Sequence, residues 1–373
     1  MKFVFFGLTI SSSWGNGHAT LLRGLFRALV RRGHDIVFFE RDVPYYAANR
    51  DLVSFEKIRL HLYSEWSDAE RIARAELRDA DVGVVTSYCF DGVAASDLVL
   101  DSPAGMRVFY DLDTPVTLAR IRAGETVGYI GPRALEDFDL VLSYTGGAAL
   151  DELRTLLRAR AVAPLYGSVD PEVHRRVAPR PQYRADLSYI GTYAADRQAA
   201  LESLFIDPAR ELPGKTFVIA GAEYPVHFPW STNIFFVKHL PPQEHAAFFS
   251  SSRLTLNVTR SSMARMGYCP SGRLFEAAAC GTPLVSDNWA GMEQFFAPGS
   301  EILIASSAME VIRSVLLTDA ELARASAAAR ERVMECHTAD RRARELEQIL
   351  ESAWHKQTLH TEPQHDSRSY LET

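Results

Sequence analysis

The chain has 373 residues, 47% of them hydrophobic and 23% charged, with a formal net charge of -7. That length exceeds the roughly 250–300 residues over which a single core keeps growing, so two domains are expected. The charge balance speaks against nucleic acid as the main partner but leaves room for an anionic small ligand, which local arginines and helix N-termini can bind.

In chain order, the apolar run Met1–Leu8 is too short to span a membrane and lacks a small-residue cleavage site, so it reads as a buried first strand. The loop Trp14-Gly15-Asn16-Gly17-His18-Ala19-Thr20 follows. Its glycines Gly15 and Gly17 let backbone pass close to a ligand, Asn16 lies between them, and His18 opens the next helix, facing either a substrate or its own helix start. The helix Leu21–Arg32 is amphipathic, with Leu22, Leu25, Phe26 and Leu29 on one side and Arg23, Arg27, Arg31 and Arg32 elsewhere. It is expected to pack on a sheet with a solvated basic face; at most, that face makes peripheral membrane contact. Gly15 and Gly17 with Glu40 faintly suggest a dinucleotide fingerprint, but Thr20 replaces the third glycine and about six residues separate the strand from Gly15.

Strands are expected at Phe3–Leu8, Asp35–Phe39, Val82–Thr86, Arg107–Tyr110 and Leu140–Ser143. A second series is expected at Leu187–Ile190, Thr216–Ile219, Ile234–Val237, Leu254–Val258, Pro283–Val285 and Glu301–Ile304. Short apolar runs separated by helical patterns imply parallel strands covered on both faces, that is, an α/β fold of two Rossmann-like, doubly wound domains. The proline- and arginine-rich stretch near 165–185 is the expected connector. The domains are then 1–170 and 186–337, followed by a C-terminal helix at 338–355 and a disordered tail at 356–373.

Asp111-Leu112-Asp113 ends a first-domain strand and is literally a DxD. Two carboxylates two apart on a strand point to opposite faces, so joint metal ligation requires the strand to have ended. Asp113 is read as lining the acceptor side, as a general base, or else as capping the helix that begins at Thr114-Pro115. The scattered Cys89, Cys269, Cys280 and Cys336 indicate neither a disulfide framework nor a zinc site and fit a reducing, cytoplasmic setting.

The most informative segment runs from Gly267-Tyr268-Cys269-Pro270-Ser271-Gly272-Arg273 through Leu274-Phe275-Glu276 to Cys280-Gly281-Thr282-Pro283. A loop at Ser271-Gly272 opens a helix whose free amides and dipole suit a diphosphate. Glu276, further along that helix, is placed to accept hydrogen bonds from ribose hydroxyls; alternatively it pairs with Arg273 on an ordinary helix. This segment resembles the donor motif of GT-B glycosyltransferases of the group 1 type. The runs Leu256–Arg260, Gly267-Tyr268 and Glu293–Glu301, with Phe109–Pro115, Pro164–Pro171 and His239–His245, resemble its CgeB-like, spore-maturation branch.

The resemblance implies a sugar nucleotide bound by the second domain, an acceptor bound by the first, and a terminal helix crossing back to the first domain. It also implies that Arg197, with Arg260 and Arg273, neutralises the diphosphate, with Gly191 in the loop before Arg197 and His239-Leu240 beside the nucleobase. No metal and no separate cofactor are required, since arginines can stabilise a departing nucleoside diphosphate. The chain departs from the motif once: Glu276 matches the second of the usual two glutamates, and Tyr268 stands at the first, eight positions earlier. That leaves the anomeric outcome open and keeps alive a catalytically silent binder of a sugar nucleotide or protein; a sugar-nucleotide epimerase is a further alternative.

Overall fold

The computed structural model describes residues 1–52 and 57–361. Seven parallel strands form the first sheet: β1 (Lys2–Gly7), β2 (Asp35–Arg41), β3 (Ile58–Tyr63), β4 (Val82–Thr86), β5 (Met106–Asp111), β6 (Leu140–Ser143) and β7 (Val162–Pro164), in the order β3-β2-β1-β4-β5-β6-β7. The second sheet holds β8 (Leu187–Ile190), β9 (Phe217–Gly221), β10 (Ile234–Lys238), β11 (Thr255–Asn257), β12 (Leu284–Ser286) and β13 (Leu303–Ile304), in the order β10-β9-β8-β11-β12-β13. All pairings are parallel. This is the doubly wound pair of sheets expected from the apolar runs.

Alternation along β1 shows why the run is continuously apolar. Phe3 and Phe5 pack on one face, with Leu22, Leu25, Phe26 and Leu346, while Val4 and Phe6 pack on the other, with Leu77, Val99 and Phe109. Both faces are covered by helices, so neither set of side chains can be polar. β8 repeats the device, with Leu187 and Tyr189 on one face and Ile190 on the other. β3 and β7, absent from the expected strands, are the two edges of the first sheet.

The expected connector lies between β7 and β8. The final helix, Ala339–Thr361, runs past the expected end at 355, and the rest of the expected tail, 362–373, lies outside the described residues. This helix crosses back onto the first domain: Ala339, Ala343, Leu346 and Leu350 join the Phe3/Phe5 core. Its contact corrects the expectation of a solvated basic face on the first helix (His18–Arg31). Arg31 pairs with Asp340 at 3.0 Å, Arg32 and His34 both reach Glu347, at 2.5 and 2.6 Å, and Arg27 pairs with Asp170 at 2.7 Å. The arginines form an ion-paired seam. Among the described residues no helix is long and apolar enough to cross a membrane.

Candidate functional site

In both sheets the strand order reverses once, between β1 and β4 and between β8 and β11. Ligands of such sheets bind at the C-terminal strand ends beside the reversal. His18 follows β1, Asp113 follows β5, Arg197 follows β8 and Arg260 follows β11, so the candidate residues sit on those ends.

Two of them meet. His18 Nε2 lies 2.6 Å from Asp113 Oδ2, while His18 Nδ1 is buried and makes no hydrogen bond. Asp113 occupies the N-cap position of the helix Thr114–Arg122, but its side chain makes no capping bond and is spent on the imidazole. Both capping alternatives are therefore excluded. The first helix is capped by Asn16, whose Oδ1 accepts from the Ala19 amide at 3.0 Å and whose Nδ2 donates to Ser12 O and Trp14 O. Asn16 thus makes its hydrogen bonds inside its own loop. Gly15 has φ +67°, and a Cβ there would stand 2.8 Å from the Tyr45 hydroxyl; at Gly17 a Cβ would meet open space.

Glu40 is not available to a dinucleotide. Its buried carboxylate accepts from Thr9 Oγ1, Ser11 Oγ and the amides of Ile10 and Ser11, fixing the loop after β1. The DxD is divided as well. Asp111 is fully buried, its Oδ1 accepts from the Asp113 amide and Thr117 Oγ1, and burial pushes its pKa up to about 6. Asp113 turns to His18, so the two carboxylates do not form a metal pair. Among the described residues one group has metal-ligand proximity, His174, His245 and Glu276.

On the second domain the helix Gly272–Ala279 begins at Ser271, whose side chain makes no capping bond. Arg197 is buried, with 8% exposure; one guanidinium nitrogen donates to Thr192 O and its Nε is unsatisfied. Arg273 is partly exposed, but its Nε is sealed from solvent without a partner. Its guanidinium lies 5.5 Å from the Tyr189 ring centroid and 3.5 Å from Asn257 Oδ1. Burial lowers the Arg273 pKa, and the charge of Arg197 acts in the same direction.

Neither arginine pairs with a carboxylate among the described residues: the alternative Arg273–Glu276 pair is not formed, and Arg197 bonds neither Glu202 nor Asp196. Glu202 accepts from Gln198, and Asp196 serves Ser261 and Arg260, the latter at 3.7 Å. Arg260 is 44% exposed and already has that partner, so it is the weaker cation of the three. Gly191 stands beside the pair: a Cβ there would lie 3.2 Å from Arg273 Nη2 and 2.8 Å from the Tyr189 hydroxyl.

Glu276 turns inward. Its side chain is 18% exposed and lies 3.9 Å from His174 Nε2 and 4.0 Å from His245 Nδ1. His239 packs its ring on Trp14 of the first domain, centroids 3.4 Å apart, and burial lowers its pKa; Leu240 is buried beside it.

Tyr268, at the position of the missing glutamate, is a wedge. Its backbone has φ +48°, its amide donates to Ala290 O at 2.7 Å, and its carbonyl accepts from the Gly146 amide at 3.0 Å. The ring lies between Gly147 of the first domain and Gly291 of the second, both at positive φ, where any Cβ would collide with it. Nearby, the Tyr144 hydroxyl donates to Pro270 O at 2.9 Å across the domains.

Sequence reasoning missed Tyr189, Asn257, His174 and His245 as site neighbours. His245 and Asn257 fell inside quoted runs; Tyr189 sits in a strand and His174 in the connector, where only the fold brings them to the site.

Residues 197–348 match the family model described as "Glycosyl transferase-like". A search of curated proteins found no match. Among solved structures, the chain is similar to sucrose-phosphate synthase from Thermosynechococcus elongatus, with TM-score 0.69 and 14% identity over 97% of this chain and 100% of that one. It is also similar to Anabaena HepE in complex with UDP and glucose, with TM-score 0.65, 12% identity, and 94% and 100% coverage. An alpha-glucosyltransferase in complex with UDP and a 13-mer DNA matches with TM-score 0.67 and 15% identity, covering 94% of this chain and 99% of that one. The chain therefore has the GT-B fold, and residues 197–348 within it match a glycosyltransferase-like family model.

Proposed function

We propose that the chain moves a sugar from a nucleoside diphosphate to an acceptor hydroxyl or amine, in the cytoplasm and without a metal on the diphosphate. The run 256–301 supports placing it in the CgeB-like branch. The observation that carries the reading is the pair Arg197 and Arg273, two guanidiniums each with a sealed, unsatisfied Nε and no carboxylate partner among the described residues, beside the start of Gly272–Ala279. Buried positive charge without a counter-ion is costly, and a diphosphate at those amides supplies the missing anion. Glu276, on the same helix, would accept from the ribose hydroxyls; Arg260 would add charge at the rim; Gly191, His239 and Leu240 would border the nucleotide. UDP in the HepE and alpha-glucosyltransferase structures is consistent with a sugar nucleotide here.

On the first domain, the hydrogen-bonded pair of Asp113 and His18 would take the proton from the acceptor. Departure of the nucleoside diphosphate is assisted by the arginines, which need no proton to do so. A thermal-shift series with nucleoside diphosphates and their sugars tests this, because a ligand of the folded state raises its apparent stability. The reading requires a shift that Glu276→Ala reduces sharply; a set of nucleotides that leaves the wild-type midpoint unmoved refutes it. Tyr268 at the glutamate position favours one other reading, a binder without turnover. It is separated from the enzyme by following release of diphosphate from a bound sugar nucleotide.

A further inference from the structure

Three side chains beside the donor helix converge without touching. His174 Nε2 and His245 Nδ1 stand 3.9 and 4.0 Å from the same oxygen, Glu276 Oε2, and all three donor atoms lie within 4.8 Å of one another. Both separations exceed hydrogen-bond reach. His174 is 2% exposed, and neither of its ring nitrogens makes a hydrogen bond. His245 turns its Nε2 to the carbonyl of Leu240, at 3.4 Å, which puts the proton on that side and leaves Nδ1 a bare lone pair aimed at the carboxylate. A lone pair facing a carboxylate oxygen across a gap repels it unless something positive stands between.

We propose that His174, His245 and Glu276 form a binding site for one divalent ion of the zinc class. Two imidazoles and a carboxylate are the donor set such ions take, and a histidine tied by its other nitrogen to a backbone carbonyl is the usual outer support of a ligand. Each donor needs to move inward by only about half an ångström to reach the ~2.1 Å of a zinc–nitrogen bond. A ribose cannot serve the same purpose at His174, because its nitrogens are sealed even from water; a bare ion is small enough to enter. The three ligands come from separate places, the connector, the helix Pro242–Ser251 and the helix Gly272–Ala279, so an ion would clip the connector to the donor helix. The site shares Glu276 with the proposed nucleotide but does not depend on that reading.

The test uses the full chain, freed of metal with a chelator and titrated with cobalt(II), then zinc(II). The expected result is one cobalt ion per chain, with visible absorption that zinc abolishes. His174→Ala and His245→Ala should each weaken binding at least tenfold while unfolding cooperatively. If His174→Ala fails to fold, His174→Phe refills the buried volume and is titrated in its place. Absence of saturable cobalt binding in folded wild type, or wild-type affinity in both histidine variants, overturns the site. Nucleoside diphosphate binding is measured on the same metal-free protein. Nucleotide binding without cobalt binding removes only the metal site. Cobalt binding without nucleotide binding leaves the site standing and removes only the proposed function.

Discussion

Arg273 offers a test in which stability and affinity move in opposite directions. In the ligand-free chain its guanidinium has no carboxylate partner among the described residues, a sealed Nε, a 3.5 Å contact to Asn257 Oδ1 and a second cation, Arg197, acting against it. Arg273→Met keeps the length of the stem and its packing on Tyr189 while deleting the charge. Replacing buried ionic groups by apolar ones of similar volume is neutral or stabilising by about 1–4 kcal/mol, and partial exposure of this side chain puts the gain at the low end, about 1 kcal/mol. A charge-assisted hydrogen bond to a diphosphate contributes about 1.5–3 kcal/mol, so the same change should weaken nucleotide binding by roughly 10- to 150-fold. Thermal unfolding without ligand reads the first effect; calorimetric titration with a nucleoside diphosphate reads the second. A variant that is clearly less stable than wild type yet binds nucleotide as well would show that Arg273 is a structural residue, and the anion-site argument would fall.

Asp113→Asn keeps the shape of the His18 contact but removes the charge that orients the ring; turnover should fall by about 10²–10⁴ with donor affinity unchanged, read by steady-state kinetics beside a binding titration. Gly147→Ala forces a Cβ into the Tyr268 ring at φ +58°, so the unfolding midpoint should drop, with a loss of at least about 1 kcal/mol by chemical denaturation. His337 governs part of the acid response. Burial, aided by Arg342, holds its pKa down to about 4, whereas the unfolded chain's histidine is protonated from about pH 6.5 downward. Between those values the unfolded state binds more protons, so the folded state loses stability as pH falls, by about 2 kcal/mol at pH 5. Asp111, raised to about 6, acts oppositely: its contribution is full below the ordinary carboxylate range and is lost as pH rises through 6. His337→Phe should therefore flatten the fall in midpoint between pH 7 and pH 5; an unchanged slope contradicts the assignment.

The central strands were legible because burial on both faces leaves them mostly apolar: β1, β4, β6 and β8 read directly as apolar runs despite Lys2, Thr86, Ser143 and Ser188. β3 was not, since an edge strand tolerates the polar Arg59 and His61 within Ile58–Tyr63, and β7 was hidden by Pro164 in a stretch that resembled a linker. At the site, residue types were legible and partnerships were not. His18 and Asp113 were singled out separately, but they stand 95 positions apart, and nothing local in either segment signals the hydrogen bond. The basic face of the first helix looked solvated because its acids, Asp340 and Glu347, follow more than 300 positions later. Sequence alone does not separate Arg260 from Arg273, because only the fold shows that Asp196 lies against Arg260.

The wedge at Tyr268 ties the motions of the two lobes together. Its ring sits in a slot with one wall from each lobe, and the strip from Tyr268 to Pro270 is bonded to Tyr144 and Gly146 just before the helix Gly272–Ala279 begins. Rotating one lobe against the other therefore pulls on the very turn whose amides open that helix. Whatever settles against the end of β6 is mechanically in touch with the far side of the cleft.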